Sequence, residues 1–343
     1  MHCEPVILLI PVFDDWDSVS LLLPLLESQL TNVDAPVHVL LVDDGSTKPP
    51  DTAGLADTCT SFRHLQKVDI LSLKRNLGHQ RAIAAGLSYV TAHLACSAVV
   101  VMDADGEDAP RDVPQLLAEL DRYDGNMIIF AERTKRSESL SFRFFYWLYR
   151  VVHLWLTGIP VRIGNFSAIP ASMLPRIAVV SELWNHYAAS VVKSRLPFET
   201  LPTERASRLA GTSKMNLVSL VIHGLSAISV FSERTGVRLI IAGTCLALFT
   251  GAGLSIVSAI QLATDWDVPA WAIYSPGLLL LLFGQMLTLV LMYVLGILQK
   301  RDDSGFLPIR DHVHFISGTT PIHDQRIGRD SADTREPSAD ARR

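Results

Sequence analysis

The chain has 343 residues, of which 49% are hydrophobic and 19% charged, with a net charge of -5. The charged fraction falls below the roughly 25% of a soluble domain, and the shortfall is local: no charged residue occurs from Leu239 to Thr264 or from Val268 to Gln299. A purely soluble globule, a basic nucleic-acid binder and a wholly disordered chain are all disfavoured.

In chain order, Val6–Pro11 reads as a short apolar strand and Ser18–Leu30 as a helix by its leucine spacing. The β-branched run Val37–Val42 ends in Asp43-Asp44-Gly45-Ser46, a strand followed by a tight turn. Val68–Leu73 is a third strand and Gln80–Thr91 a helix; Ala98–Met102 is a fourth strand, Asp112–Tyr123 a helix and Met127–Ala131 a fifth strand. This alternation predicts an α/β domain with a mainly parallel sheet flanked by helices, whose ligands bind at the carboxyl ends of the strands. Phe142–Leu156 and Leu217–Phe231 are amphipathic, fitting either a membrane interface or a packed core.

The two uncharged stretches each exceed the ~20 residues that cross a bilayer. They predict a two-helix transmembrane hairpin at about 238–263 and 271–298. Arg234 and Arg238 before it, Lys300 and Arg301 after it, and the acidic connector Asp265-Trp266-Asp267 place both ends in the cytoplasm. Trp266, Trp271 and Tyr274 fit an aromatic belt on the far side. The expected organisation is a cytoplasmic domain over 1–215, an amphipathic helix over 216–236, the hairpin within 237–299 and a polar, partly disordered tail over 300–343. Cys3, Cys59, Cys96 and Cys245 form no C-x-x-C pair, so neither a disulfide framework nor a zinc site is expected. The N-terminus lacks the basic region of a secretory signal.

Polar clusters follow the strands. Pro11-Val12-Phe13-Asp14-Asp15 and Asp43-Asp44-Gly45-Ser46 suit either sugar hydroxyls and base edges or ordinary capped turns. Lys74-Arg75-Asn76-Leu77-Gly78-His79-Gln80-Arg81 sets cations and a glycine before a helix, as an anion site or a solvated turn. Asp103-Ala104-Asp105 ends a very apolar strand, with Glu107 two residues on. Side chains at i and i+2 of an extended segment point the same way, and paired carboxylates suit a hard divalent cation shared with substrate phosphates. Arg205, Arg208, Ser213 and Lys214 form a basic, hydroxyl-bearing group close to the membrane segment, fit for a phosphate or for anionic lipid. Arg133, Lys135 and Arg136 form another basic group.

Taken in order, Pro11-Val12-Phe13-Asp14, Val42-Asp43-Asp44-Gly45-Ser46, Asn76-Leu77-Gly78, Asp103-Ala104-Asp105 and Arg208-Leu209-Ala210-Gly211-Thr212-Ser213-Lys214, followed by two apolar spans, resemble family 2 glycosyltransferases. The polyprenyl-phosphate branch is the nearest pattern, across roughly residues 5 to 300. The resemblance implies a GT-A fold, a nucleotide-sugar donor, inverting transfer and Mg²⁺ or Mn²⁺ as cofactor. By position it places Pro11, Phe13, Asp14, Asp43, Asp44, Asn76 and Gly78 around the nucleotide, Asp103 and Asp105 on the metal, and Glu107 as a third metal ligand. Arg133 matches the arginine of a G-S-R motif, and Arg208, Ser213 and Lys214 match R-x-x-G-x-S-K at the acceptor phosphate, with Arg205 beside them.

The chain departs from that pattern in three places: Asp14-Asp15 stands for Asn-Glu, Ala131-Glu132-Arg133 for G-S-R, and Asn165 replaces an aspartate found in some relatives. The Q-x-x-R-W motif of processive synthases is absent. The expected activity is sugar transfer from a UDP- or GDP-sugar to a lipid phosphate at the cytoplasmic membrane face, with no nucleic-acid partner and with homo-oligomers compatible. A lipid hydroxyl acceptor, with Glu182, His186 or Asp108 as base, and a silent scaffold of a glycan-export assembly remain the alternatives. A GT-A-like nucleotidyltransferase is the remaining fallback.

Overall fold

A computed structural model of the chain describes residues 4–133, 140–160, 163–211, 217–263, 269–302 and 305–325. Eight strands form one sheet: β1 Val6–Val12, β2 Val37–Asp43, β3 Leu65–Leu73, β4 Ala98–Val101, β5 Ile128–Arg133, β6 Ser167–Pro170, β7 Phe198–Thr203 and β8 Ile316–Asp324. Their order is β7-β5-β6-β4-β1-β2-β3-β8. The central strands β3, β2, β1 and β4 are parallel, but β6 runs antiparallel to both β4 and β5, and β8 antiparallel to β3. The sheet is therefore mixed rather than mainly parallel. The four-residue strand β6, like β7 and β8, is not revealed by the sequence pattern.

The α-helices are α1 Trp16–Gln29, α2 Thr52–Cys59, α3 His79–His93, α4 Val113–Arg122, α5 Leu140–Thr157, α6 Leu174–Ala178, α7 Tyr187–Lys193, α8 Leu217–Ser229, α9 Ser232–Ala263, α10 Ala270–Asp302 and α11 Pro308–Asp311. Every residue of β1 is buried, as expected of a parallel strand covered on both faces. Its side chains alternate: Val6, Leu8, Ile10 and Val12 join one apolar core with α1 and α4, while Ile7 and Leu9 join a second with α3 and α7. In α4 the buried set Val113, Leu116, Leu117 and Leu120 is the one-face spacing of an amphipathic helix. The Asp51 carboxylate caps α2 by accepting from Gly54 N at 3.0 Å.

The chain divides into two compact units. The first comprises residues 1–139, 162–223 and 306–343, and the second 140–161 and 224–305. The division departs from the expected boundary near 215: the segment carrying α5 falls in the second unit, and the chain returns to the first at Phe306. Within the first unit, the stretch expected as a polar, partly disordered tail supplies β8. It is held by the pairing to β3, by Trp184 packed against Phe306 and Phe315, and by a Lys74 Nζ hydrogen bond to the His314 carbonyl at 3.0 Å. Residues 326–343 lie outside the described residues.

The second unit contains α5, α9 and α10, with α9 packed along α10. Arg238 Nη1 donates to the carbonyls of Leu154 and Trp155 at 3.0 and 2.6 Å, satisfying the C-terminal end of α5. Large apolar side chains of this unit are exposed, among them Phe249 at 81% and Leu262 at 90%, as are Trp147 and Trp155 on α5. Helix α9 is long and apolar enough to cross a membrane, whereas the apolar stretch within α10 is Gly277–Tyr293. Two helices thus stand where the hairpin is expected, and one of them meets the length and composition of a span. The connector Asp265-Trp266-Asp267 lies outside the described residues.

Candidate active site

The loops after β1, β2 and β4 meet at the carboxyl edge of the sheet. The turn after β2 is fixed first. Asp44, 2% exposed, accepts hydrogen bonds from Leu77 N at 2.7 Å and Gly78 N at 2.9 Å, pinning the entry to α3. Gly45 has φ 68°, and a Cβ there would lie 2.6 Å from Arg75 C and Asn76 N, so the turn and the α3 entry touch through backbone. Burial pushes the Asp44 carboxyl up, while the two N–H donors and His79 oppose it. Asp14, in left-handed backbone at φ 49°, braces β1 to the same turn: it accepts from Thr47 N, Thr47 Oγ1 and Lys48 N at 2.7, 2.8 and 3.1 Å. Asp43 accepts from Ser46 N at 2.9 Å, and Ser46 Oγ accepts from Asp14 N at 3.0 Å.

These braces open a cavity of about 330 Å³ lined by Pro11, Val12, Phe13, Asp44, Asn76, Gly78 and His79. That volume lies within the range of small-molecule sites. Five of the residues expected around a nucleotide line it. Asp14 and Asp43 serve instead as its frame. A smaller hollow of about 160 Å³ near Glu4 and Cys96 lacks a convergent set of charges.

The D-x-D loop follows β4. Asp108, buried, accepts from Asp103 N at 3.0 Å, and Asp105 accepts from Glu107 N at 3.0 Å. The segment after β7 lies on this loop through Ala206 N to the Glu107 carbonyl and Leu209 N to the Asp105 carbonyl, at 3.0 and 2.9 Å. Leu209 covers Gly106, whose φ of 78° and lack of a side chain permit the contact: a Cβ there would lie 2.5 Å from Leu209 Cγ. The guanidinium of Arg208 bridges two carboxylates, Asp105 at 2.9 Å and Asp15, while Arg205 pairs with Glu107. Burial pushes the Asp105 carboxyl up and the charges of Asp103 and Glu107 add to it, against the Glu107 N–H and Arg208.

Among the described residues, no three His, Cys, Asp or Glu side chains gather as a metal cage. Glu107 is turned to Arg205 rather than to the D-x-D pair, so the expected three-acid set is not assembled. The two hard-oxygen carboxylates Asp103 and Asp105 nevertheless fit a Mg²⁺ or Mn²⁺ ion that takes its remaining ligands from phosphates and water. Arg133 ends β5 in register with Thr203 of β7, which brings the backbone of the two basic segments together. The side chain of Arg133, and residues Lys135, Arg136, Ser213 and Lys214, lie outside what is described.

Several pairings here carried no local signal in the sequence. Asp15 meets Arg208 across 193 positions. Asn165 joins His79 and Gln80 through 3.1 Å contacts, and Gln80 Oε1 accepts from Tyr187 N at 2.7 Å. His79 Nε2 lies 3.2 Å from Asp103 Oδ1. Burial works to lower the His79 pKa, but the charge and hydrogen bond of Asp103, with Asp108 and Asp44, outweigh it and raise it. The rings of His186 and His223 meet at 4.7 Å, tilted by 44°.

An α/β sheet flanked by helices, with acidic loops at its carboxyl edge, has the GT-A-like architecture of a glycosyltransferase catalytic domain. Residues 8–177 match the family model described as glycosyl transferase family 2, and the chain carries a domain of that family. An uncharacterized glycosyltransferase, YkcC of Bacillus subtilis, is 28% identical over 235 residues, covering 66% of this chain and 68% of that protein. The undecaprenyl-phosphate 4-deoxy-4-formamido-L-arabinose transferase of Klebsiella pneumoniae is 31% identical over 137 residues, so that the match spans 40% of this chain and only 39% of that enzyme. Among solved structures, glucosyl-3-phosphoglycerate synthase from Mycobacterium tuberculosis, in complex with Mn²⁺, UDP-glucose and phosphoglyceric acid, aligns with a TM-score of 0.49 at 14% identity, over 68% of this chain and 80% of that one.

Proposed function

We propose that this glycosyltransferase moves a sugar, with inversion, from a UDP- or GDP-sugar to a polyprenyl phosphate at the cytoplasmic face of a membrane spanned by α9 and α10. The observation that carries the choice of acceptor is the engagement of the candidate bases. Asp108 is buried against the Asp103 N–H, and Glu182 is paired with Lys193 at 2.5 Å. Burial alone would raise the Glu182 carboxyl, but the Lys193 hydrogen bond and charge hold it below its ordinary value. His186 Nδ1 accepts from Ala189 N at 3.4 Å as the cap of α7. A hydroxyl acceptor needs a base to remove its proton during attack. A phosphomonoester, with a second pKa near 6, is largely ionised at neutral pH and attacks without one. The named Klebsiella relative, which uses an undecaprenyl phosphate, and the exposed apolar helices support the same choice.

In this reading Pro11, Phe13, Asn76 and Gly78 receive the nucleoside, within the frame set by Asp14, Asp43 and Asp44. Asp103 and Asp105 would hold Mg²⁺ or Mn²⁺, which supplies Lewis-acid neutralisation of the departing diphosphate. Arg208 orients phosphate oxygens once it leaves Asp105, since a guanidinium binds such oxygens in pairs. Arg133, Arg205, Ser213 and Lys214 hold the acceptor phosphate.

The test supplies membranes containing the protein with labelled UDP-glucose, UDP-galactose, UDP-N-acetylglucosamine or GDP-mannose and undecaprenyl phosphate, with Mn²⁺ or EDTA. Label entering the lipid phase with one donor, in Mn²⁺ only, supports the reading. Donor hydrolysis without lipid labelling, or labelling that ignores EDTA, contradicts it.

A further inference from the structure

An aspartate at the head of a helix ordinarily caps it, its carboxylate accepting from a backbone N–H of the first turn. Asp15 stands at that position before α1, yet its side chain makes no capping bond. Its Oδ1 instead accepts from Ser18 Oγ at 2.7 Å, and its Oδ2 receives Arg208 Nη2 from 193 positions away. Ser18 is fully buried, so the hydroxyl that orients the carboxylate is itself fixed. The backbone beside it is held as well, because Asp14 is bound to Thr47 and Lys48 on the turn after β2. Asp15 is therefore a fixed anion at the sheet edge, committed to one arginine.

Arg208 uses all three of its guanidinium nitrogens. Nε donates to the Ala210 carbonyl at 2.8 Å, Nη1 to Asp105 at 2.9 Å and Nη2 to Asp15. The three charged side chains are 17 to 19% exposed, so salt screens these pairs less than it screens surface pairs. Of the two carboxylates, Asp105 has another task. In the reaction proposed above it turns to the cation on the donor diphosphate, and Arg208 gives up its Nη1 contact. An arginine freed at one edge would swing on its long, flexible side chain. Asp15 on Nη2 and the Ala210 carbonyl on Nε keep it where it is, with Nη1 open to a phosphate oxygen. Asp15 cannot take that phosphate itself, since like charges repel. Nor does it line the 330 Å³ cavity, which this loop reaches through Pro11, Val12 and Phe13. Its effect passes through Arg208.

We propose that Asp15 is a positioning residue for the acceptor: it holds Arg208 by Nη2, with Ser18 fixing the carboxylate, so that Nη1 meets the lipid phosphate without a conformational search. The inference rests on the lipid-phosphate reading above and adds to it a residue from a different loop, outside the basic motif.

The test uses the full-length protein with Mn²⁺, the sugar donor it accepts and undecaprenyl phosphate. Asp15→Asn preserves the size of the side chain and removes its charge. In that variant kcat/KM for the lipid falls by about 10²-fold, the scale of a misplaced group, while calorimetry finds the affinity for Mn²⁺ with UDP or GDP unchanged. Asp15→Glu keeps a carboxylate and recovers most of the loss. Binding of farnesyl phosphate, a short soluble acceptor, weakens and recovers in the same order. Asp15→Asn combined with Arg208→Lys loses no more than Arg208→Lys alone, because one residue acts through the other. A residue that merely steadied α1 would add its own loss to that of Arg208→Lys. Thermal melts establish that the variants are folded. Ser18→Ala loosens the carboxylate without removing it; it gives a smaller loss of the same kind and carries the test if Asp15→Asn does not fold. Native kcat/KM in folded Asp15→Asn, additive losses in the double variant, or an equal fall in nucleotide affinity overturns the proposal and leaves the lipid-phosphate reading standing. A native protein that transfers no sugar to undecaprenyl phosphate overturns both.

Discussion

At the scale of single residues, the site is built by side chains that hold backbone as much as by side chains that face the cavity. Asp44 is the clearest case. With Asp44→Ala, the N–H groups of Leu77 and Gly78 lose their acceptor in a buried place, at about 1–3 kcal/mol for each group left unsatisfied. Denaturant unfolding should show a loss of that size, and a value near zero would mean that water or another acceptor replaces the carboxylate. Arg208 works differently. Lysine has one compact charge and cannot span Asp15 and Asp105 together. Arg208→Lys should leave the melting temperature near its native value and lower kcat/KM for the lipid acceptor by about 10²-fold, as for loss of one preorganised charge donor. Asp103-Ala104-Asp105 and Arg205 with Arg208 stand out in the sequence because each is a compact local pattern. Asp15 with Arg208, and His79 with Asn165, do not, because each pair forms only when distant loops meet at the sheet edge.

At the scale of elements, the apolar runs marked β1 to β5 and the helices between them, since burial on two faces writes itself as uninterrupted Val, Ile and Leu. Strand β8 left no such mark. Its side chains are largely exposed, its sequence carries Gly318 and Pro321, and only Ile316 and Ile322 pack toward the cores beside its backbone pairing to β3. It belongs to a packed segment with three histidines, two of which, His312 and His323, are shifted by burial. Burial holds the His312 imidazole below its ordinary value, with His93 adding to this and the carbonyls of Pro308 and Ile309 opposing. Burial does the same at His323, against Asp324 and Glu27. Once released, both take up protons as the pH falls below about 6.5; while packed they resist until lower pH. The contribution to docking is therefore full above about pH 7 and declines as the pH drops below 6.5 toward the folded values. Hydrogen exchange of the 316–324 amides, corrected for intrinsic rate, should report easier opening at pH 5.5 than at pH 7.5. Equal protection at both would show that the histidines do not govern the strand.

At the scale of the whole molecule, one chain joins a family 2 glycosyltransferase domain to long apolar helices. The uncharged stretches announced those helices in the sequence, because a bilayer demands some 20 apolar residues in a row. Nothing in the pattern announced that the chain would return after them to complete the sheet. The central claim is that the sugar is passed to a lipid phosphate. It is tested most directly by the chemistry of the product. Purified protein is given its labelled donor and Mn²⁺ with either undecaprenyl phosphate or diacylglycerol, and the lipid product is treated with mild acid; an Asp105→Asn variant is run alongside. The account predicts labelled lipid from undecaprenyl phosphate alone, release of the sugar by mild acid as a glycosyl phosphate requires, and at least a 100-fold loss with Asp105→Asn, on the order of one missing transition-state stabiliser. An acid-stable glycoside formed on diacylglycerol would contradict it and return the acceptor to a hydroxyl.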